Sequence, residues 1–339
     1  MDYQKLFKVE PGTKVDLDKI DPRFTANHSN KVSAETEMAK YTRSLCDLQY
    51  LLYAENKKSL LICLQALDAG GKDGTINHVF TAFNPQGTRV YGFKIPTKEE
   101  AEHDFLWRVH KRVPGKGEVS IFNRSHYEDV LVVRVHNLAP KDVWSKRYEA
   151  IIDFEKDLAD NGNKILKFYL HISPDEQLRR FEQRLNDPTR HWKISEYDYS
   201  ERELWKEYMK AYEDALSKTS TKYAPWYIIP ADRKWFRNLA ISKIVAETME
   251  GLNSKTPKPT VDIEEIRTKY HNAATEEKGD PHNKKAQKKD KGKKKKRAAQ
   301  QEEQKLKDEK KKKKKEKKKE KKEEKKAAKE NRGQNQDKG

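Results

Sequence analysis

Between Leu60 and Thr75 the chain runs LLICLQALDAGGKDGT, an apolar stretch that opens into glycines, a lysine and two carboxylates. Gly70, Gly71 and Gly74 free the backbone to turn its N–H groups inward. Ala69, Asp73 and Thr75 complete a loop of small and polar residues around Lys72. N–H groups converging at a helix start make a nest for phosphate oxygens, and a lysine adds a mobile cation. The spacing departs twice from the G-x-x-x-x-G-K-[ST] loop: Ala66 stands at the first glycine and Asp73 at the final hydroxyl. Without that hydroxyl the usual magnesium ligand is missing, and Thr75 is the nearest replacement. Asp68 says more. A carboxylate inside a phosphate nest repels its ligand unless a metal ion bridges them or it orients the attacking group. The metal-linked role is the one expected here.

A second polar cluster, Asn123 to Asp129 (NRSHYED), follows the apolar run Val119–Phe122. Strand ends in an open parallel sheet emerge at the ligand-binding edge. Arg124 there offers a planar fork that grips phosphate bidentately. Asn123 stands where many phosphate-loop proteins place a metal-binding aspartate, so carboxylates appear only at Glu128 and Asp129. His126 is expected to be structural. A third cluster comprises Arg179, Arg180, Arg184, Arg190, Lys193 and Arg202, interleaved with Trp192 and Trp205. Such a stretch, about 179–205, suits a lid that closes over phosphates and excludes water. Asp104 and Arg108 are expected to line a channel.

Positioning these residues needs alternating strands and helices. Met38, Tyr41, Leu45, Leu48, Leu51 and Leu52 recur at three- and four-residue steps, predicting an amphipathic helix from Ala34 to about Lys57. Apolar runs at 59–64, 88–93, 119–122, 165–172 and 227–229 predict strands. Helices are predicted after the glycine loop, at 97–113 with a Thr97/Glu100 capping box, at 141–161, from Pro174 to about Arg184, and at 235–251. Strands alternating with helices imply a three-layer α/β/α fold with a parallel central sheet.

Charge divides the chain. Of its 339 residues, 73 are Lys or Arg and 55 Asp or Glu, a net charge of +18. Residues 281–339 contain 28 basic and 11 acidic residues, leaving 45 and 44 in the first 280. The expected organisation is an N-terminal arm (1–34), a catalytic body (35–252), a polar linker (253–280) and a disordered Lys/Glu-rich tail (281–339). No apolar run is long enough to span a bilayer, and Met1–Gly12 lacks an apolar signal core. Cys46 and Cys63 cannot build a disulfide framework and are expected to be buried free thiols, pointing to a cytoplasmic setting.

Taken together, LQALDAGGKDGTI (64–76), EHDFLWRVHKRVPGKGE (102–118), IFNRSHYEDVLVVRV (121–135), KFYLHIS (167–173) and YAPWYIIPAD (223–232) resemble the polyphosphate kinase 2 family over roughly residues 35–252. The resemblance implies a thymidylate-kinase-like fold. It implies reversible, Mg2+-dependent transfer of the terminal phosphoryl group of inorganic polyphosphate to a nucleotide. By analogy Asp68 and Lys72 are the catalytic loop pair, with Asp68 and Asp129 linked to metal. Arg124 grips phosphate at the nucleotide side beside Asn123 and Glu128, and Arg184 is the lid arginine. Residues 69–75 with Arg179, Arg180, Arg184 and Lys193 take the polyphosphate. Asn123 is similar to the version in the subgroup (class III) that phosphorylates both nucleoside mono- and diphosphates. AMP and ADP are the expected acceptors, GMP and GDP further candidates, and a homodimer or homotetramer the family-level expectation. The tail has no counterpart in that core; its charge suits capture of polyphosphate or, as a side effect, nucleic acid. Two rivals remain: an ATP-dependent nucleoside monophosphate kinase, and a polyanion-binding pseudoenzyme.

Overall fold

Five strands form one sheet: β1 (Ser59–Gln65), β2 (Thr88–Gly92), β3 (Val119–Asn123), β4 (Asn163–His171) and β5 (Trp226–Pro230). Their order is β2-β3-β1-β4-β5, with every neighbouring pair parallel. The computed structural model describes residues 1–277. Every residue of β1 is buried, as a central strand covered on both faces requires. Its side chains alternate between two cores. Leu60, Ile62 and Leu64 join residues of the helices Lys31–Glu55, Lys72–Val79 and Lys234–Gly251. Leu61 and Cys63 pack with Phe93, Phe122 and Phe154 on the other face. The result is the expected three-layer α/β/α fold. β1 and β3 are neighbours in register, Leu64 opposite Asn123, so their carboxyl ends bring residues 66–75 and 123–129 together.

Several expected elements come out differently. The N-terminal arm is part of the core, with Tyr3, Phe7, Val9, Val15 and Leu17 buried and the Val9 amide donating to the Trp226 carbonyl. Tyr3 and Phe7 lie on a five-residue helix and Leu17 on a three-residue 3-10 turn, elements too short to show a period in the sequence. The helix expected at 97–113 is two short pieces, Lys98–Ala101 and Trp107–His110. The Thr97/Glu100 capping box is formed, but Asp104 Oδ1 then accepts from the Leu106 amide and turns the chain. The helix expected at 141–161 breaks between Trp144 and Arg147. A helix not expected, Trp205–Thr219, buries Tyr208, Tyr212, Ala215 and Leu216. Cys63 is buried, but Cys46 is exposed on the outer face of its helix. A second unit begins at Lys258 and contains the helix Ile263–Glu277 where a linker was expected. The expected tail, 281–339, lies outside the described residues. Among the described residues no helix is long and apolar enough to cross a membrane.

Behind β3 lies a fully buried polar network that fixes the loop carrying Arg124 and Glu128. Lys167 Nζ donates to Glu155 Oε2 (2.6 Å), to the Tyr127 hydroxyl (2.8 Å) and to the Thr219 carbonyl (2.8 Å). The Tyr127 hydroxyl donates in turn to Glu155 Oε1 at 2.9 Å, and His126 Nε2 lies 3.2 Å from the same oxygen. His126 is therefore structural, as expected. Lys167 and its hydrogen-bonding neighbours hold the Glu155 carboxyl below its ordinary range against the opposing effect of burial. Removing one partner of a buried pair strands the other. Glu155→Gln is expected to cost about 3–5 kcal/mol of stability, read as a lower denaturant midpoint at constant slope. An unchanged midpoint would show that the pair contributes nothing to stability.

Candidate active site

After Gln65 the chain leaves β1 and turns through residues 66–71 before the helix Lys72–Val79 starts. Ala69 (φ 56°) and Gly71 (φ 107°) adopt left-handed backbone, the conformation that curls the loop. Two side chains from the helix Pro174–Leu185 clasp it from outside. Arg180 Nη1 donates to the carbonyls of Ala69 (2.8 Å) and Gly70 (2.9 Å), while its Nε holds Glu176 Oε1 at 2.7 Å. Gln177 Nε2 donates to the Asp68 carbonyl at 3.0 Å. Arg180, expected among the phosphate ligands, is a buried brace whose donors are taken by backbone and Glu176. Thr75 is likewise turned away. Its fully buried hydroxyl donates back to the Gly71 carbonyl at 3.1 Å and faces the helix rather than the loop's interior, which removes it as a replacement metal ligand.

Inside the loop, charges of both signs crowd together. Lys72 Nζ donates to the Ala66 carbonyl at 2.7 Å, and Arg124 Nη2 meets Asp68 Oδ1 at 3.0 Å. Arg124 sits at φ 62°, a left-handed turn that redirects its side chain as the strand ends. Burial pulls the Lys72 ammonium down and Arg124 adds to that, with Asp68 and Glu128 opposing. Burial pushes the Glu128 carboxyl up against the pull of Arg124 and Lys72. For Arg124, burial is outweighed by Glu128 and Asp68, and its guanidinium is held above its ordinary value. Two cations and two carboxylates thus share one field.

Three residues far apart in sequence meet at the loop's far end. Asn123 Nδ2 donates to Asp73 Oδ1 at 2.8 Å, and Lys193 of the lid reaches Asp73 Oδ2 at 3.6 Å. Burial alone would raise the Asp73 carboxyl, but the Asn123 hydrogen bond and the Lys193 charge bring it below its ordinary value. The expected lid consists of the helix Pro174–Leu185, a 3-10 segment Pro188–Lys193 and the helix Glu196–Glu203. Arg184 Nη1 pairs with Asp198 Oδ2 at 2.9 Å within that lid. Burial raises the Asp198 carboxyl, and Asp68 raises it further, which sets this part of the lid close to the loop. Arg179 is half exposed and forks onto Glu176.

The structure gives Asp129 other company than expected. Its carboxylate accepts from Arg147 at 2.9 Å and lies 3.9 Å from Arg108, while the carboxyl that shares the field of Lys72 and Arg124 is Glu128. Arg108 itself is buried and donates to the Lys94 carbonyl, and Asp104 caps a turn, so neither lines a channel. Among the described residues no group of three or more His, Cys, Asp or Glu could cage a metal ion. Asp68 with Glu128 fits a different mode, in which a divalent cation takes one or two carboxylates and completes its shell with water and phosphate oxygens. Sequence reasoning missed Gln177, Tyr208, Tyr212, Lys234 and Arg237. Tyr208 donates to Glu201 at 2.6 Å; burial and Glu201 raise its hydroxyl, and Glu128 and Asp68 add to that, placing the helix Trp205–Thr219 beside the site.

Comparison with known proteins agrees with this geometry. The family model described as Polyphosphate kinase 2 (PPK2) matches residues 28–257. The AMP/ADP-polyphosphate phosphotransferase of Meiothermus ruber is 52% identical over 263 residues, covering 77% of this chain and 98% of that one. The ADP-polyphosphate phosphotransferase of Rhodopseudomonas palustris is 44% identical over 268 residues, 76% and 93% of the respective chains. The crystal structure of polyphosphate kinase 2 from Arthrobacter aurescens superposes with a TM-score of 0.77 at 40% identity, covering 80% of this chain and 97% of that one. With most of the chain matched, and with the phosphate loop and strand-end arginine converging on one sheet edge, the protein belongs to the polyphosphate kinase 2 family.

Proposed function

We propose that this protein is a phosphotransferase that moves the terminal phosphoryl group of inorganic polyphosphate to nucleoside mono- and diphosphates, AMP to ADP and ADP to ATP, reversibly. The observation that carries the reading is the ion pair of Asp68 with Arg124 at 3.0 Å beside Lys72. It places a carboxylate where a simple nucleotide-triphosphate loop has none. In-line transfer asks the protein to hold two anions end to end and to neutralise charge as it accumulates on the transferring group. Backbone N–H groups of residues 69–75, apart from those of Gly70 and Thr75 that bond the Leu67 and Gly71 carbonyls, hold the donor chain with Lys72, and Arg124 holds the acceptor phosphate. The lid bearing Arg184 and Lys193 closes over both and excludes water, which would otherwise accept the phosphoryl group. A divalent cation, Mg2+ in our reading, would be held by Asp68 with Glu128 and would neutralise phosphate oxygens.

Purified protein supplied with AMP, ADP, GMP or GDP and polyphosphate as sole donor tests this, with AMP and ATP in parallel. ADP and ATP should form from polyphosphate. Robust transfer from ATP with none from polyphosphate would return the protein to the ordinary nucleoside monophosphate kinases. Asn123 bears on acceptor choice. Asn123→Asp sets a carboxylate against Asp73 where Nδ2 now donates at 2.8 Å. The added charge repels the more highly charged acceptor more strongly, so the rate with ADP should fall about tenfold further than the rate with AMP. Equal losses with both acceptors would contradict this reading of Asn123.

A further inference from the structure

Four cations are buried among the described residues of the body: Arg108, Lys167, Arg180 and Arg237. Three have carboxylates. Lys167 holds Glu155 at 2.6 Å, Arg180 holds Glu176 at 2.7 Å, and Arg108 lies 3.6 Å from Glu100 and 3.9 Å from Asp129. Arg237, 2% exposed, has no carboxylate within 4.0 Å among the described residues. Its Nε and Nη2 both donate to one amide oxygen, Asn238 Oδ1, at 3.0 and 2.7 Å. A desolvated guanidinium without a counter-charge is costly, and folds do not retain one for packing when a methionine would serve.

The place of this charge is specific. Arg237 sits on the first turn of the helix Lys234–Gly251, with its guanidinium against the backbone of the phosphate loop. A methyl group at Gly71 would lie 1.9 Å from Nη1, and one at Gly74 would lie 3.3 Å from Nη2. The Arg180 guanidinium flanks the same glycine, 3.5 Å from that methyl position. On the outer side, desolvation lowers the Lys234 ammonium, and Arg180, Arg179 and Arg237 act on it in the same direction. Positive charge is therefore concentrated along one flank of the loop, with Glu176 its main opposing carboxylate.

We infer that Arg237 is a positioning residue for the donor polyphosphate, a buried counter-charge whose anion arrives with the substrate and whose contact with Gly71 and Gly74 sets the loop's curvature. The inference rests on polyphosphate being the donor. In the free protein the guanidinium is an energetic burden, and burial with Arg180 alongside brings its pKa down to about 9. When the phosphate chain occupies the nest, its negative charge offsets that burden, so part of the binding free energy is relief of electrostatic strain already present in the fold.

Thermal unfolding of the full-length protein with and without polyphosphate distinguishes this from a packing role, with KM for polyphosphate and for ADP measured alongside. Arg237→Met keeps volume and removes charge. It should unfold at the same temperature as the wild type or higher, and lose most of the rise that polyphosphate gives the wild type. Its KM for polyphosphate should increase about tenfold, the scale of one charge-assisted contact, with KM for ADP unchanged. Lower intrinsic stability with the polyphosphate-induced rise and both KM values preserved would overturn the inference, because Arg237 would then be packing alone. Should Arg237→Met fail to fold, Arg237→Gln decides by the same readouts. A wild-type protein that makes no nucleotide from polyphosphate fails the functional reading instead. A wild type that does so, matched by Arg237→Met, fails only this one.

Discussion

Lys72→Met is expected to lower turnover with polyphosphate and ADP about a thousandfold, the scale on which a single cation acts in phosphoryl transfer. In free-energy terms that is about 4 kcal/mol of transition-state stabilisation. Lys72 Nζ now rests on the Ala66 carbonyl, and burial already pulls its ammonium down. A cation held there only by neutral carbonyls, Ala66 at 2.7 Å and Leu67 at 3.5 Å, is free to exchange those contacts for phosphate oxygens. Removing it should leave the fold intact or slightly firmer, since a partly desolvated charge disappears. The diagnostic pattern is a large fall in kcat with little change in unfolding temperature. Arg124→Ala should fall by a similar factor but behave differently in the free protein, because it takes away Asp68's ion-pair partner and leaves Asp68 and Glu128 with Lys72 as their one remaining neighbouring cation. Near-normal turnover by Lys72→Met would remove the phosphate loop from the mechanism.

How much of this site was legible depends on whether a residue announces itself locally. Asp68, Lys72 and the glycines belong to one strand–loop–helix sequence whose chemistry is visible without coordinates. Asn123 and Arg124 follow a strand, and parallel topology alone predicts that strand ends gather at one edge. The pairing of Asp73 with both Asn123 and Lys193 was not legible, because its partners lie fifty and 120 residues away. Glu128 and Asp129 are adjacent, and only the turn geometry decides that the first faces Lys72 and the second Arg147. Arg179 and Arg180 show the same limit: they are adjacent in one basic stretch, but helical phase sends Arg180 under the loop and leaves Arg179 half exposed on Glu176. Some misses carried a usable signal. Tyr208, Tyr212, Ala215 and Thr219 recur at four- and three-residue steps and mark a helix that the basic and aromatic residues before it obscured. A lone arginine at position 237, within an otherwise apolar helix face, was a charge in want of an explanation.

Gly71→Ala tests the loop itself and should be strongly damaging. Gly71 holds φ 107°, outside the comfortable range of an alanine, and its added carbon would stand 1.9 Å from Arg237 Nη1. Long side chains normally yield to such a clash, but this guanidinium is 2% exposed and tied to Asn238 by two donors. Arg180 closes the other side of the glycine while holding the carbonyls of Ala69 and Gly70. The loop must therefore move, and backbone strain with overpacking should cost about 2–4 kcal/mol. Activity should suffer more than stability, because a displacement of about an ångström in the nest misaligns donor and acceptor and costs about a hundredfold or more in rate. Gly92→Ala is the matched control: a carbon there meets nothing within 4 Å, and its φ is not left-handed, so rate and stability should stay near wild type. Full activity in Gly71→Ala would mean that the loop tolerates a different curl, and that neither Arg237 nor the left-handed turn sets the path of the phosphate chain.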